Sequence, residues 1–243
     1  MTLQDKFALV TGASAGIGAD TARVLAREGA NVALAARREE RLEAVADELE
    51  SAFGAETLVV PTDVRDEEAA EAMVETTVGE FGRLDVLVNN AGVGVGGEVA
   101  DVTTDEYRLM METNVDGVFF ATRAAIPHLR ETAGNLVFVG SFAGQYPRPG
   151  NPTYAATKWW VRGFAHSLAG QVGPDGVGVS VVNPTEVRTE FASEADTAFE
   201  DRFDPGEVTE PEEIAEAIGF AASQERSTVH EVDLYRRDKF EGW

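Results

Sequence analysis

Short hydrophobic runs recur along the whole chain, separated by longer stretches in which apolar residues return with a helical period. Most of the seven runs, each four to six residues long, are apolar nearly throughout instead of alternating with polar residues. Continuous runs of this kind are typical of strands that are buried on both faces of a parallel sheet. The predicted strands span residues 7–10, 31–35, 57–61, 85–89, 135–139, 177–182 and 229–234.

The stretches between the predicted strands have the spacing of amphipathic helices. Clear examples are ADTARVLAREG, at residues 19–29, and REERLEAVADELESAFG, at residues 38–54. The first example ends on Gly29, a residue type that suits a helix C-terminus. Regular alternation of strands and helices predicts a single doubly wound α/β domain over residues 1–243. We expect a parallel sheet of about seven strands with helices on both faces.

One segment interrupts this regular pattern. Residues 185–213 are acidic and weakly patterned. Loops of this length inside compact domains are usually functional lids or disordered segments. We therefore predict that residues 185–213 form a flexible lid over a substrate site.

The composition is that of an ordinary globular protein with few means of metal or thiol chemistry. The chain has 243 residues, of which 44% are hydrophobic, and no apolar run long enough to span a bilayer. Its N-terminal residues do not resemble a secretory signal, so we expect a cytoplasmic protein without a membrane partner. Cysteine is absent, and His128, His166 and His230 lie far apart in sequence, so no metal site is predicted.

The charge balance is strongly acidic. Forty-three Asp and Glu residues against 20 Lys and Arg residues give a net charge of −23, which repels polyanions and disfavours nucleic-acid binding. Three of the basic residues are lysines, Lys6, Lys158 and Lys239, and 17 are arginines. An acidic, lysine-poor chain resembles proteins from salt-accumulating cytoplasms, in which counterions screen the repulsion between surface charges. The alternative is an acidic protein without adaptation to salt.

A glycine-rich turn follows the first predicted strand. In TGASAGIGADTARVLA, at residues 11–26, Gly12, Gly16 and Gly18 allow the backbone to turn tightly and to approach a ligand. The helix that follows points its unpaired N–H groups at the turn, which makes an anion site. A plain connection between a strand and a helix is the alternative. The position at the first strand–helix junction of an alternating chain favours a dinucleotide-phosphate site.

The end of the second predicted strand indicates which dinucleotide binds. A site selective for NAD places an acidic residue there, where it hydrogen-bonds the ribose 2′-hydroxyl. This chain has Ala36, Arg37 and Arg38 instead. A guanidinium binds a 2′-phosphate through charge-assisted hydrogen bonds, whereas cations at the start of a helix oppose its dipole. We therefore predict NADP(H), with Arg37 as the main 2′-phosphate ligand, and two solvated arginines are the alternative.

Further landmarks follow in order along the chain. They are NNAG at residues 89–92 after the fourth strand, Asn114, Ser141 after the fifth strand, and Tyr154 four residues before Lys158. Together with the glycine-rich turn they resemble the short-chain dehydrogenase/reductase superfamily over nearly the whole chain. Within it, GSFAGQYPRPGNPTYAATKWWVRGF, Arg37 and the hydrophobic C-terminal strand look like the NADP-dependent 3-hydroxy acid and serine dehydrogenase branch.

This resemblance implies a Rossmann-type fold that assembles as a homotetramer or homodimer through helix faces. It also implies hydride transfer between NADP(H) and a ketone or secondary alcohol, with 3-oxo and 3-hydroxy acids as candidate substrates. Two features depart from the family pattern. Pro184 is followed by Thr185 where the family usually has glycine, and the chain ends on LYRRDKFEGW, residues 234–243. We expect this aromatic, basic tail to pack against a neighbouring subunit.

The spacing of Tyr154 and Lys158 suits proton transfer. Residues four apart lie on one helix face, about 6 Å apart at Cβ. A tyrosine hydroxyl can protonate the alkoxide that hydride transfer creates, but its ordinary pKa of about 10 makes it a slow base in the reverse direction. An ammonium about 4 Å away, at an effective dielectric constant of about 20, favours the phenolate by about 4 kcal/mol, or about 3 pKa units. We therefore expect Lys158 to bring the pKa of Tyr154 close to neutrality.

The remaining catalytic roles come from the family resemblance. It implies that Lys158 also binds the nicotinamide ribose, that Ser141 hydrogen-bonds the substrate oxygen, and that Asn114 holds a water that relays protons to Lys158. Each residue alone has a structural alternative. Ser141 could cap a helix or turn, and Asn114 could be a polar kink in a helix over residues 107–126.

The resemblance also implies a set of cofactor contacts. Asp63, one of them, could instead cap the helix that begins RDEEAAEAM at residue 65. The predicted contacts are Gly12, Ser14, Gly16, Ile17 and Gly18 in the turn, Arg37 at the 2′-phosphate, Asp63 and Val64 by the adenine, Asn90 and Ala91 by the adenosine ribose, Tyr154 and Lys158 at the nicotinamide ribose, and Val187 and Thr189 by the carboxamide.

Two other functions compete with the leading hypothesis of a small-carbonyl reductase. A 3-oxoacyl thioester reductase needs a basic patch for a phosphorylated carrier, and residues 185–213 offer only Arg188 and Arg202 against many acids. A non-catalytic NADP(H) sensor or scaffold has no need of the intact set of Asn114, Ser141 and the tyrosine–lysine pair.

The substrate pocket is the least predictable part of the site. Candidate apolar walls are Phe142, Tyr146, Phe191 and Phe199, and Arg148 is a candidate ligand for a substrate carboxylate. Anchoring of loops by the aromatic residues and a surface position for the arginine are equally good interpretations.

Salt adaptation gives a direct prediction. The melting temperature should rise between dilute buffer and molar KCl, because counterions reduce the repulsion between surface carboxylates. Thermal unfolding followed by circular dichroism measures the change. A melting temperature that stays level or falls in KCl contradicts the adaptation.

Overall fold

A seven-stranded parallel sheet forms the centre of the computed structural model, which describes residues 2–191 and 197–241. The strand order is β3-β2-β1-β4-β5-β6-β7. This sheet confirms the predicted doubly wound, Rossmann-type α/β fold. The strands are β1 (Phe7–Thr11), β2 (Asn31–Ala36), β3 (Thr57–Pro61), β4 (Val86–Asn89), β5 (Asn135–Val139), β6 (Gly178–Pro184) and β7 (Glu231–Leu234).

Helices cover both faces of the sheet. Helices α1, α2 and α8 pack on one face, and α3, α5 and α6 pack on the other. Within the described ranges, no helix is long and apolar enough to cross a membrane. The helices are α1 (Gly16–Arg27), α2 (Glu39–Phe53), α3 (Glu67–Phe81), α4 (Thr104–Met111), α5 (Gly117–Thr132), α6 (Pro152–Val172), α7 (Phe199–Arg202) and α8 (Pro211–Ala222).

The core has two layers, one on each face of the sheet. Successive residues of a strand point to opposite faces, so Ala8 and Val10 join one layer and Leu9 joins the other. Both layers are covered by helices, and the central strands are therefore apolar at every position. This two-sided burial explains the continuous hydrophobic runs in the sequence.

The predicted helix over residues 107–126 is divided in two. Helix α4 ends at Met111, a π-helical turn spans Glu112–Asp116, and α5 begins at Gly117. A π-turn inserts one extra residue and changes the direction of the side chains around it, and such turns are frequent at functional sites. Asn114 lies in this turn, so the position read as a polar kink is a local change of helix type.

The predicted lid at residues 185–213 contains regular structure in its described parts. Val187 forms a parallel bridge with Thr209, and the N–H of Phe199 donates to the Phe191 carbonyl at 3.2 Å. Helix α7 and the start of α8 also fall within it. Backbone pairing of this kind was not readable from the weak hydrophobic pattern. Residues 192–196, inside the predicted lid, lie outside the described residues.

The described part of the C-terminal tail packs on its own chain. The Tyr235 hydroxyl donates to the Gln145 side chain, and the Phe240 ring lies 6.0 Å from the Phe142 ring. The Thr185 side chain accepts from the Arg236 N–H at 3.2 Å. These contacts lie within the chain, the expected packing against a neighbouring subunit stays a prediction, and residues 242–243 lie outside the described part.

A buried carboxylate fixes the end of the sheet opposite to these loops. Asp85, directly before β4, is 2% exposed and accepts a hydrogen bond from the Phe7 N–H at 3.1 Å. Lys6 Nζ lies 3.3 Å and Arg83 Nη2 2.5 Å from its Oδ1. These donors neutralise the carboxylate and join the start of β1 to the start of β4.

Asp85→Ala should lower the free energy of unfolding by about 2 kcal/mol, because the Phe7 N–H loses its acceptor and two cations lose their partner. The midpoint of urea unfolding measures the loss. Asp101→Ala, which removes an exposed carboxylate from a turn, is the matched control. Equal midpoints for the two variants would show that Asp85 has no such role.

Candidate functional site

The crevice for a ligand opens where the strand order reverses. β1 and β4 are neighbours, but the chain continues from β1 to β2 on one side and from β4 to β5 on the other. The loops after these strands therefore diverge, which is where open α/β sheets bind ligands. A cavity of about 830 Å³ lies here, lined by the loops that follow β1 to β6.

The glycine-rich turn is held very close to the loop after β4. Gly12 has a φ of +69°, and a Cβ on it would lie 2.8 Å from Asn90 Nδ2. A Cβ on Gly18 would lie 2.2 Å from the Gly12 carbonyl oxygen. Larger residues at these two positions would push the turn away from β4, so glycine is needed for the packing as well as for the turn.

The N-terminus of α1 is left open to an anion. Its N-cap, Ala15, makes no side-chain cap, and no acidic residue lies in the first turn, whereas α2 and α3 each have two. Ser14, Gly16 and Ile17 line the cavity beside these free N–H groups. An uncapped helix start facing a cavity is the donor set that a dinucleotide phosphate requires.

Thr11, which the sequence reasoning missed, fastens the two loops together. Its Oγ1 accepts from the N–H groups of Asn90 and Ala91 at 3.0 and 3.1 Å and donates to the Val88 carbonyl at 3.2 Å. Asn90 Nδ2 in turn donates to the carbonyls of Thr11 and Gly12. Asn90 and Ala91 thus lie beside the turn, and their predicted contact with the adenosine ribose stays a prediction. The sequence offered one signal for this role, because Thr11 is a polar residue at the end of a strand that is otherwise apolar.

The two arginines after β2 differ in their partners. Arg38 donates to Ser14 Oγ at 3.1 Å and to Glu190 Oε2 at 3.0 Å. Arg37 lines the same cavity and makes no hydrogen bond or ion pair with another described residue. Arg37 is therefore a cation on the cavity wall whose charge also lowers the pKa of Asp63, its role as a 2′-phosphate ligand stays a prediction, and Arg38 orients Ser14.

Asp63 and Val64 line the cavity at the end of β3. Asp63 is paired with Arg65, whose hydrogen bonds lower the pKa of the carboxyl. Helix α3 is capped by Asp66, which accepts from the Ala69 N–H at 3.1 Å. The alternative that Asp63 caps this helix is therefore wrong.

Helix α6 carries Tyr154 and Lys158 into the cavity. Asn151 caps the helix by accepting from the Tyr154 N–H at 3.2 Å, which places the tyrosine in the first turn. Lys158, 6% exposed, has its Nζ 5.9 Å from the centre of the Tyr154 ring and donates to the Val139 carbonyl at 2.8 Å. Ser141 lines the same cavity and accepts from the Ala143 N–H of its own turn at 3.1 Å.

Burial dominates the proton affinities of this pair. It raises the pKa of Tyr154 to about 12, although the hydrogen bond from Ser141 and the charge of Arg148 act in the opposite direction. It lowers the pKa of Lys158 to about 8. The expected shift of Tyr154 towards neutrality is therefore reversed, because desolvation penalises both charged forms and the ammonium points at the Val139 carbonyl. At neutral pH Tyr154 is a protonated phenol, able to donate.

Asn114 uses its amide to position backbone. Its Oδ1 accepts from the Val93 N–H and its Nδ2 donates to the Val93 carbonyl, both at 2.8 Å, and Nδ2 also donates to Thr157 Oγ1 at 3.0 Å. The π-turn thus connects the loop after β4 to α6, one residue before Lys158. The water relay expected of Asn114 stays a prediction.

The loop after β6 closes the cavity next to the turn. Thr189, 6% exposed, lies so close that a Cβ on Gly16 would be 2.9 Å from its methyl group. Val187, 4% exposed, belongs to the core and lines the cavity beside it. Both residues therefore line the cavity beside the glycine-rich turn, and their contacts with a carboxamide stay a prediction.

The far end of the cavity holds charged residues that the sequence reasoning only partly found. Lys239, from the tail, is 8% exposed, donates to Glu186 at 2.6 Å and lies 4.7 Å from the centre of the Phe142 ring. Arg148 lies 3.8 Å from the same glutamate. All four line the cavity. The sequence offered one signal for Lys239, because it is one of only three lysines and lies in a tail rich in aromatic residues.

Three of the four predicted aromatic walls line this end of the cavity, namely Phe142, Phe191 and Phe199. Phe191 lies 5.7 Å from the Tyr154 ring, and Tyr146 stacks behind Phe142 at 4.4 Å.

Among residues 2–191 and 197–241, no three His, Asp or Glu side chains come together as a metal site would need.

Known proteins share this architecture over nearly the whole chain. A family model described as short chain dehydrogenase matches residues 6–199. The chain is 36% identical over 235 residues to trans-4-hydroxycyclohexanecarboxylate dehydrogenase of Sinomonas cyclohexanicum, covering 95% of this chain and 90% of that protein. It is 34% identical over 238 residues to meso-2,3-butanediol dehydrogenase of Serratia marcescens, covering 96% and 94%.

A solved structure agrees with these relatives. The short chain dehydrogenase from Burkholderia cenocepacia J2315 in complex with NADP is 34% identical and superimposes with a TM-score of 0.87, covering 97% of this chain and 98% of that one. The chain therefore belongs to the short-chain dehydrogenase family and is an oxidoreductase acting on CH–OH groups.

Proposed function

We propose that this protein transfers a hydride between NADP(H) and a small ketone or secondary alcohol that carries a carboxylate, such as a 3-oxo or 3-hydroxy acid. The observation that carries the proposal is the meeting of Ser141, Tyr154 and Lys158 at one end of a cavity whose other end holds Arg37 and Ser14. A proton donor and a phosphate site then share one crevice.

The cofactor assignment rests on the chemistry of the cavity wall. The free N–H groups at the start of α1 suit a pyrophosphate, and Ser14 with Arg37, which makes no hydrogen bond to another described residue, suits a 2′-phosphate. A relative of known structure binds NADP. A bound nicotinamide supplies or accepts the hydride. Further contacts would come from Asp63, Val64, Asn90, Ala91, Val187 and Thr189, which line the same cavity.

Tyr154 would act as the proton donor in reduction. Its pKa, raised to about 12 by burial, keeps the hydroxyl protonated, and Ser141, on the wall of the same cavity, would hydrogen-bond the substrate oxygen. As negative charge develops on the substrate oxygen, the hydroxyl donates its proton, and the ammonium of Lys158 stabilises the phenolate that results. Asn114 would keep α6 and the loop after β4 in register and, in the same proposal, hold the relay water.

The substrate class follows from the charges at the far end. Arg148 and Lys239 share a single carboxylate, that of Glu186, so one positive charge is in excess on the cavity wall of a chain with a net charge of −23. A carboxylate on the substrate would balance it. One relative is named for the oxidation of a hydroxycarboxylate. The aromatic rings of Phe142, Phe191 and Phe199 would contact the carbon skeleton.

The proposal extends to assembly. Tyr107, Phe119 and Trp159 are 49%, 38% and 47% exposed, on α4, α5 and α6 respectively. Large exposed aromatic residues favour association, which supports a homotetramer or homodimer. Five further features remain predictions. They are the single domain over residues 1–243, the lid role of residues 185–213, the cytoplasmic location, the salt-adapted source, and membership of the 3-hydroxy acid and serine dehydrogenase branch.

Tyr154→Phe should lower kcat for NADPH-dependent reduction by about 100-fold or more, because the ring stays in place while the proton donor is lost. The Kd for NADPH, followed by cofactor fluorescence, should change by less than about threefold, since only one polar contact goes. Tyr107→Phe, on the exposed surface of α4, is the control and should keep full turnover. If Tyr154→Phe retained most of the wild-type turnover, the assignment would fail.

Lys239→Gln should lower kcat/KM for a 3-oxo acid by about tenfold and leave the matching methyl ester within about twofold, since only the acid loses a charged partner. Arg237→Gln, in the same tail but exposed, is the control. Melting temperatures show whether the tail still packs. Equal losses on acid and ester would reject the carboxylate, and a preference for acyl thioesters would favour the 3-oxoacyl thioester reductase.

A further inference from the structure

Glu190 crosses the cavity mouth to the arginines after β2. Its Oε2 accepts from Arg38 Nη1 at 3.0 Å, and Arg41 Nη1 donates to its two oxygens at 2.6 and 2.8 Å. Arg38 meanwhile donates to Ser14 Oγ through Nε and Nη2. One carboxylate from the loop after β6 therefore bridges two guanidinium groups, and one of these, that of Arg38, also bonds Ser14 of the glycine-rich turn.

The Glu190 carboxylate already binds the guanidinium that a phosphate on the ligand would bind. The hydrogen bonds from Arg38 and Arg41 lower the pKa of Glu190, so it is ionised at neutral pH. Ser14, Arg37, Arg38 and Glu190 all line the cavity. A phosphate on the adenosine ribose and the Glu190 carboxylate would compete for the same guanidinium, because two anions cannot share it without repulsion.

The bonds are of a kind that a ligand can break. Glu190, Arg38 and Arg41 are 43%, 46% and 47% exposed as side chains. Ion pairs that remain in contact with water contribute little net stability, so a doubly charged phosphate can displace a carboxylate from them.

We propose that Glu190 is an internal competitor for the 2′-phosphate and sets the preference between phosphorylated and unphosphorylated adenosine ligands. This inference deepens the proposed function and rests on its NADP(H) assignment. When a 2′-phosphate takes Arg38, Glu190 is released from that guanidinium and keeps Arg41 as its partner on α2, so the segment 187–191 loses one of its two ionic contacts with the arginines.

The same segment reaches the proton donor, which gives the competition a consequence for catalysis. Glu190 is flanked by Thr189, packed against Gly16, and by Phe191, 5.7 Å from the Tyr154 ring. Loss of the Arg38 contact therefore loosens a strip of chain that touches both the phosphate turn and the wall of the substrate pocket, while Arg41 and the bridge between Val187 and Thr209 still hold it. Binding of the phosphorylated cofactor is thereby coupled to rearrangement of that wall.

The test uses two small probes that lack the nicotinamide, 2′,5′-ADP and 5′-AMP, with their Kd values measured by calorimetry. Glu190→Gln keeps the shape and removes the charge, so it should tighten 2′,5′-ADP by about three- to tenfold while 5′-AMP changes by less than about twofold. Glu39→Gln removes an equal charge from the first turn of α2 and makes no ion pair with another described residue. This control should leave the ratio of the two affinities unchanged.

Hydrogen exchange reports the release directly. In the wild type, 2′,5′-ADP should speed exchange of amides in residues 187–191 and 5′-AMP should not, whereas Glu190→Gln should exchange quickly without either probe. A ratio of affinities that is the same in Glu190→Gln and the wild type overturns the proposal. Weaker binding of 2′,5′-ADP by Glu190→Gln also overturns it, because Glu190 would then be positioning Arg38 for the phosphate.

Failure of the proposed function has a different signature. Arg37→Ala should weaken 2′,5′-ADP and spare 5′-AMP whatever residue occupies position 190. If Arg37→Ala leaves both affinities unchanged, and the wild type oxidises no NADPH with 3-oxo acids, the NADP(H) reductase assignment fails. The ratio of the 2′,5′-ADP and 5′-AMP affinities in Glu190→Gln, by contrast, tests only the proposal that Glu190 competes with the 2′-phosphate.

Discussion

The site depends on how closely the turn after β1 approaches the loop after β4. Gly12 and Gly18 leave no room for a side chain between them and Asn90, and Thr11 bonds both loops from below. This contact joins the two halves of the sheet at the point where the strand order reverses. It fixes the direction of α1, and with it the free N–H groups that face the cavity.

The second constraint is the burial of a lysine. Lys158 is kept inside by the Val139 carbonyl, and the adjacent Thr157 holds the amide of Asn114. An ammonium in this position costs solvation, which is why its pKa falls to about 8. The π-turn around Asn114 lies beside the lysine, because Asn114 Nδ2 bonds Thr157, the residue before it.

The sequence was sufficient for features that depend on local order along the chain. The seven strands, the glycine turn and the spacing of Tyr154 and Lys158 were readable because each depends on neighbours within a few residues. Contacts between distant segments were not readable. The pairing of Glu190 with Arg38, the arrival of Lys239 beside Phe142 and the direction of the Tyr154 pKa shift all depend on which segments the fold brings together, and a single sequence does not show this.

Asp85 and the cavity lie at opposite ends of β4, which has consequences for how this protein can change. Four residues of strand span about 13 Å, beyond the range at which substitutions usually influence one another. Substitutions in the loops that line the substrate pocket therefore should not change the energy of the ion pairs that Asp85 makes with Lys6 and Arg83. In evolution or in a laboratory selection, substitutions at the cavity end of the sheet can change the substrate specificity while the contribution of Asp85 to stability stays the same.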